Sequence, residues 1–246
     1  MTPRGQTLIR LLGVQAAWTY ERMAGIGVGH AAAPLLRSHY RDRPPEERRA
    51  AVARSAEYFN SHPYLAGVAV GAVVRAERDG VPGPAISRLR TALSGPLGAM
   101  GDQLIWAGEV PAMMGIALAA LPWIGWWTVP LLLVAHNAWR FWITRWGLDL
   151  GLAEGLNVGA ALQRSWLPRA ASDAQRAGAF GVGLGVPIVA GWLLAGTDGT
   201  GTLLVLGAAT AGLGLMLWPR TRTRITGVRF GLALMVVALL YMAGAR

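Results

Sequence analysis

The chain has no cysteine and no lysine, and only 15% of its 246 residues are charged. Without Cys there can be no disulfide, no thiolate metal site and no Cys nucleophile. All 23 basic residues are Arg, a usage we assign to genome base composition and give no chemical meaning. Metal-ligand spacing is missing too: the four His, at His30, His39, His62 and His136, do not fall at the separations a metal site uses. No Ser-His-Asp set can be assembled along the sequence. The Gly-rich stretches 25–29 and 181–185 lack the dinucleotide spacing after a strand, and 95–101 is followed by Asp102 where a phosphate loop needs Lys. Close helix packing accounts better for the first two. No internal repeat recurs at a fixed period. Residues 1–20 lack a cleavable-leader pattern, because the apolar run 11–17 is short and interrupted by Gln15. No enzyme activity, metal or cofactor is expected from this inventory.

What is present points to a bilayer. The chain holds 33 Gly, 11 Trp and 53% hydrophobic residues. Trp is enriched at the headgroup level of membranes and Gly where helix backbones pack closely. The net charge of +10 would suit a nucleic-acid binder if it lay on a soluble body. Here the Arg residues occupy the polar N-terminal part and short connectors between apolar stretches, the pattern of cytoplasmic loops beside anionic lipid. Nucleic acid is not an expected partner; membrane lipid is.

The composition changes near residue 100. Residues 1–100 carry 13 of the 23 Arg and 7 of the 13 acidic residues, and read as an amphipathic, partly cytoplasmic or interfacial helical region. Pro44 and Pro45 announce a helix whose charges alternate with Ala and Val up to Glu57, a solvated or interfacial face. Residues 64–74 are apolar but number only 11, about 16 Å as a helix and half a bilayer. They read as a buried or re-entrant segment. Residues 101–246 form the expected membrane region. Its first part, 110–135, is uncharged over 26 residues, yet Pro111, Pro122 and Pro130 punctuate it. It reads as a broken or hairpin element, which survives at membrane depth only against protein or a water-filled cavity. Trp139, Trp142 and Trp146 alternate with Arg140 and Arg145 in an interfacial pattern, and 147–176 reads as a loop or tangential helix. Spans follow at about 177–197, 199–219 and 225–245. Arg-rich connectors on either side of the first two place Asp198 and the C-terminus outside. The expected fold is thus an all-α, polytopic integral membrane protein with N-terminal interfacial helices, a re-entrant or broken hairpin and C-terminal transmembrane helices.

Three clusters stand out in order. The first is Trp18-Thr19-Tyr20-Glu21-Arg22-Met23, followed by Gly25, Gly27 and Pro34. The second runs from Glu57 through Tyr58, Phe59, Asn60, Ser61, His62 and Pro63 to Tyr64. The third is Gly95-Pro96-Leu97-Gly98-Ala99-Met100-Gly101-Asp102, with Trp106 and Pro111 beyond it. Each has a plain structural reading. Asn60 to Pro63 forms a turn that caps the preceding helix, with Pro63 biasing His62 to extended backbone. Asp102 caps a helix beginning at Gln103. The functional reading stands beside it: an amide at Asn60 and an imidazole at His62 match ligand hydroxyls, and a carboxylate near membrane depth is a functional candidate by default. Trp106 either stacks on a sugar face or anchors at the interface. Glu21 and Arg22, adjacent on the chain, cannot face each other on a helix and suit structural or subunit contacts.

The three clusters resemble the hallmark segments of IID subunits of the mannose/fructose/sorbose phosphotransferase permeases. Those are a Tyr-Glu-Arg-Met box, a Phe-Phe-Asn-Thr-His-Pro box and a Gly-Pro-Leu-Ala-Gly-Ile-Gly-Asp-Pro box ending in Phe-Trp. Asn137, Arg140, Gly147 and Gly151 fit a later family segment more loosely. The resemblance implies a multi-pass subunit of the bacterial cytoplasmic (inner) membrane that pairs with a IIC subunit, in trimers of IIC–IID pairs, to take up a sugar. Phosphoryl transfer would rest with IIA and IIB phosphocarrier components. On the chemistry above, the candidate substrate contacts are Asn60, His62, Asp102 and Trp106, and the candidates for structural or subunit contacts are Glu21, Arg22, Pro63, Gly95, Pro96 and Gly101. The sequence departs from the family pattern at Gln103, where Pro is usual, at Val110, where Arg is usual, and in the added acid Glu109. Those departures motivate an alternative, a membrane scaffold or regulator of phosphotransfer proteins that moves no sugar.

Overall fold

The computed structural model describes residues 1–195 and the single position Gly207. Every regular element named among them is helical. The chain divides into two compact units, Met1–Ile188 and Val189–Arg246. The expected spans 199–219 and 225–245, with Asp198 and the C-terminus, lie outside the described residues, as does the end of 177–197.

The first unit begins with α1 (Pro3–Leu12), whose Thr2 cap accepts the Gly5 amide at 3.2 Å. α2 (Gly25–His39) is buried along most of its length. α3 (Pro45–Ser55) starts at Pro45 with Glu46 and Glu47 in its first turn, where acids suit the helix dipole. It buries only Ala51 and Ser55, in keeping with the solvated or interfacial face expected of it.

α4 (Ala66–Arg78) takes in most of the short apolar run 64–74 and is the core helix. It lies most extensively against α7 (Thr128–Glu154). A β-carbon on Gly71 would collide with the Leu148 carbonyl, and one on Gly151 with the Val68 carbonyl. Gly67 and Gly71, and Gly147 and Gly151, thus form two four-residue spacings that let the backbones approach closely, the contact that holds helices together where lipid removes the hydrophobic drive. Near the C-terminal end of α4, Glu77 is 3% exposed. It accepts from the Tyr40 hydroxyl at 2.7 Å and from both Arg54 Nε and Nη2 at 3.2 and 2.8 Å.

α5 (Gly83–Gly101), a widened π-type segment (Asp102–Glu109) and α6 (Val110–Ile124) run on as one helical stretch. The composition change near residue 100 therefore falls inside a helix. Asp102 has helical backbone at φ −63°, so it does not cap a new helix as the sequence suggested. The widening falls on the turn before Pro111, whose ring would crowd the Ala107 carbonyl in a regular α-helix. The chain then reverses at a tight turn (Gly125–Trp127), where Gly125 has φ 61°, and α7 returns along α6. Pro111 follows the widened segment, Pro122 lies inside α6 and Pro130 sits in the first turn of α7, so the break falls at Gly125 and at none of the three prolines.

A short turn (Gly155–Asn157) leads to α8 (Val158–Arg164) and α9 (Leu167–Leu194). Of the two readings given above for residues 147–176, loop or tangential helix, the structure has mostly helix, and α9 starts at Leu167 rather than near 177. Arg169, Asp173 and Arg176 mark a change of environment, and exposed charges do not interrupt a helix. Gly181 and Gly185 of α9 pack on Ala112 and Gly115 of α6, the close packing expected for that Gly-rich stretch. Among the described residues, one helical stretch, Gly83–Arg164, which includes the reversal at Gly125, passes the length and hydropathy that crossing a membrane requires. Its hairpin shows Trp123, Trp126, Trp127, Leu131 and Val134 outward, a patch that suits lipid or protein rather than water.

Candidate functional site

The three sequence clusters meet at residues 57–62. The first folds as a tight loop, with Met23 at φ 50°. The Phe59 amide donates to the Arg22 carbonyl at 3.2 Å, and the Ala24 amide to the Phe59 carbonyl at 3.0 Å. Backbone pairing therefore joins the first cluster to the second. Glu21 and Arg22 turn their side chains to the surface and, among the described residues, neither has an ion-pair partner.

The third cluster reaches the same place from α5. Ser94 accepts the Asn60 amide at 3.0 Å and donates back to the Asn60 carbonyl. Gly101 lies so close to His62 that a β-carbon there would overlap the imidazole base. Arg90, 2% exposed, donates to the Ser55 and Glu57 carbonyls, both at 3.0 Å, and lies over the Phe59 ring at 5.5 Å. This buried guanidinium fixes the chain between α3 and the second cluster. Gly95 and Pro96 sit on the exposed face of α5.

His62 is 3% exposed and extended at ψ 132°, as the following Pro63 favours. Its Nδ1 accepts the Tyr64 amide at 3.3 Å, which caps the turn Pro63–Leu65 opening α4. The cluster thus caps the helix that follows, not the one before. With Nδ1 accepting, the ring proton sits on Nε2, which is buried and without a partner among the described residues. Burial pushes the imidazole pKa down to about 4, and the Asp102 charge offsets only part of that shift. The ring meets Trp106 edge-on at 6.0 Å.

Asp102, Gln103, Trp106 and Ala107 line an open depression on the outer face of the widened segment. The spacing explains why: with more than four residues per turn, positions i and i+4 stay on one face. Trp106 is 63% exposed, so an indole face and a carboxylate lie side by side with the buried His62 behind them. The Asn60 side chain is exposed and only its backbone is held. An aromatic face beside a carboxylate is chemistry that takes a polyhydroxylated ring: apolar C–H stacking on indole, hydroxyls donating to carboxylate.

The residue model described as the PTS system mannose/fructose/sorbose family IID component matches residues 3–190. The chain is a member of that family. Among curated relatives, the mannose-specific EIID component of Escherichia coli K12 is 26% identical over 175 residues, 69% of this chain and 61% of its own length. The sorbose-specific EIID component of Klebsiella pneumoniae is 30% identical over 178 residues, 69% of this chain and 63% of its own length. The matched part thus spans less than two thirds of either relative. A structure of the mannose transporter ManYZ with microcin E492 aligns at a TM-score of 0.52 and 19% identity, covering 98% of this chain and 95% of that one. Another, titled only as a membrane protein, aligns at 0.68 and 20% identity over 98% and 96%. These two likenesses concern the fold, which is all-helical and membrane-associated.

Four residues of this IID-family chain escaped the sequence reading as site candidates. Tyr64, Glu109, His136 and Arg140 come together between the start of α4, the widened segment and α7. The available signal was the ionisable pair Glu109 and His136 bracketing an uncharged stretch, which is itself a reason to ask for partners. Their separation in sequence hid the contact. Asn137, by contrast, bonds only its own helix at Leu133 O, 2.8 Å away.

Proposed function

We propose that this chain is the IID subunit of a phosphoenolpyruvate-dependent sugar permease, forming with a IIC membrane subunit the path for a mannose-, fructose- or sorbose-type sugar. In this reading IIA and IIB components carry the phosphate and this chain carries none. The observation that carries the proposal is the convergence of three family clusters, distant in sequence, behind the depression of Asp102 and Trp106. Asp102 accepts sugar hydroxyls, Trp106 stacks on the ring, and the buried His62 supports both from behind. Asn60, whose side chain is exposed, offers its amide as a further sugar contact in the same reading. Glu21, Arg22, Pro63, Gly95, Pro96 and Gly101 hold the loops and helix faces in place or meet the partner subunit. The complex is a hetero-oligomer of the bacterial cytoplasmic membrane, and trimers of IIC–IID pairs are part of the same proposal.

The test is uptake of labelled mannose, fructose and sorbose in a host without its own mannose-type permease, expressing this chain with the IIC, IIA and IIB components from its own genome. Omission of this chain alone should abolish uptake. Asp102→Asn and His62→Ala should each lower uptake by about tenfold or more, the scale of a lost charge-assisted or buried hydrogen bond, with membrane abundance unchanged. Loss of the protein from the membrane would instead make those residues structural.

A second reading has one specific observation behind it. Gln103, a departure from the family pattern, lines the depression itself. A scaffold that recruits phosphotransfer proteins without moving sugar predicts an assembled membrane complex with no uptake of any hexose.

A further inference from the structure

Glu109 closes the widened segment and points inward, its side chain 12% exposed. Its Oε1 lies 2.9 Å from His136 Nδ1, and His136 Nε2 lies 2.8 Å from the Tyr64 hydroxyl. One tautomer satisfies both imidazole nitrogens: Tyr64 O–H donates to Nε2, and Nδ1–H donates to Glu109 Oε1, while Oε2 is buried without a partner among the described residues. Arg140 stands over the Tyr64 ring at 5.2 Å and donates to the Leu12 carbonyl of α1. Tyr64 also packs against His62, ring centres 4.9 Å apart, and gives it its amide proton. The polar thread therefore starts at the imidazole behind Trp106 and returns to the far end of the segment that carries Trp106.

Apolar side chains would join the widened segment to α7 at less cost than a carboxylate and an imidazole at the edge of a stretch otherwise built for lipid. What directional bonds supply, and apolar contacts do not, is a fixed rotation about the helix axis. That matters most in a widened segment, whose backbone bonds are looser than those of an α-helix. Leu104, Ile105 and Gly108 face inward while Asp102, Gln103, Trp106 and Ala107 face outward. Any rotation that withdraws Glu109 from His136 swings Trp106 and Asp102 by the same angle relative to His62.

We propose that Tyr64, His136 and Glu109 form a hydrogen-bonded clasp that fixes the rotation of the segment Asp102–Glu109 and so sets the distance of Asp102 and Trp106 from the sugar. They are positioning residues, and the ligand half of the proposal rests on the transport reading above. Glu109, the acid added to the family pattern, is on this view the residue that anchors the segment.

Two measurements on the full-length chain with its membrane partner test it. The first is hydrogen–deuterium exchange of the detergent-solubilised complex. Tyr64→Phe and Glu109→Leu should each raise exchange across residues 102–109 by about tenfold, the worth of one buried hydrogen bond, while 67–71 stay as protected as in the wild type. Glu109→Gln keeps an acceptor for His136 and should stay within about twofold of wild type. The second is uptake. The same two variants should raise KM for the sugar by about tenfold with maximal rate per assembled complex unchanged, and the double variant should be no worse than the worse single one. Unchanged exchange at 102–109 removes the clasp, and exchange raised evenly over the chain reduces it to a stability contact. Local loosening with an unchanged KM overturns the positioning role. A wild-type complex that takes up no hexose defeats the transport reading and the ligand half with it, and exchange still decides whether the clasp exists.

Discussion

The neutral imidazole of His62 makes a pH signature at the residue scale. Its pKa is about 4 in the fold against 6.5 when free, so the unfolded chain takes up a proton first as pH falls. The stability present above pH 6.5 is therefore lost progressively between 6.5 and 4, and the loss levels off below the folded value. Thermal unfolding of the detergent-solubilised chain should show a steeper decline over that window for the wild type than for His62→Asn. Equal slopes would mean that the imidazole is solvated. Glu77 offers a second case. Burial, and then the hydrogen bond to Glu77, raise the Tyr40 hydroxyl to about 12, so tyrosine remains the donor at any working pH. Glu77→Leu strips both Tyr40 and Arg54 of their acceptor and should cost about 3 kcal/mol, the low end for a broken buried pair because Arg54 keeps some solvent. Arg54→Met added to it should restore most of the loss, read as the unfolding midpoint.

At the scale of elements, the crossing of α4 on α7 carries the fold. Composition marked residues 64–74 as too short to span and apolar enough to bury, and α4 is buried. Its partner was not legible, because a four-residue glycine spacing names a face and not the helix that will meet it. Gly151→Val drives a side chain into the Val68 carbonyl, and overpacking against backbone should cost about 3 kcal/mol or abolish the folded chain. Gly159→Ala is the control: a β-carbon there meets nothing within 4 Å, and the exchange should be neutral or gain up to about 1 kcal/mol of helix propensity. Equal behaviour of the two variants in thermal unfolding would show that the crossing is looser than the geometry requires.

At the scale of the whole molecule, helix length sets how deep the α6–α7 hairpin goes. α6 has 15 residues, about 22 Å of helix, and α7 reaches Arg140 after a similar rise. A hydrocarbon core is about 30 Å thick. If Glu109 and Arg140 stay at one surface, the tip at Trp126 stops short of the other, as a re-entrant element does. The absence of Cys gives a clean background for single-cysteine labelling. Trp126→Cys should resist a membrane-impermeant maleimide from both sides, whereas Ser87→Cys should react from one side only. Reaction at Trp126→Cys from the side opposite Ser87→Cys would make the hairpin a full crossing.

The amino-acid sequence by itself determined the helical class, the attraction to a bilayer, the interruption of 110–135 and the three family clusters. Each of these follows from local quantities: hydropathy along the chain, proline and glycine placement, and short ordered motifs. Only the tertiary structure decided that the clusters meet at residues 57–62, that α4 lies on α7, and that His136 bonds both Glu109 and Tyr64. Those contacts join residues separated by 27 and 72 positions, and no periodicity of a single helix records which other helix its polar side chains will find. The same distinction explains Asp102, which the sequence offered as a cap. Whether a carboxylate caps a helix or rides on one depends on whether the backbone before it has already turned, and here α5 carries straight through.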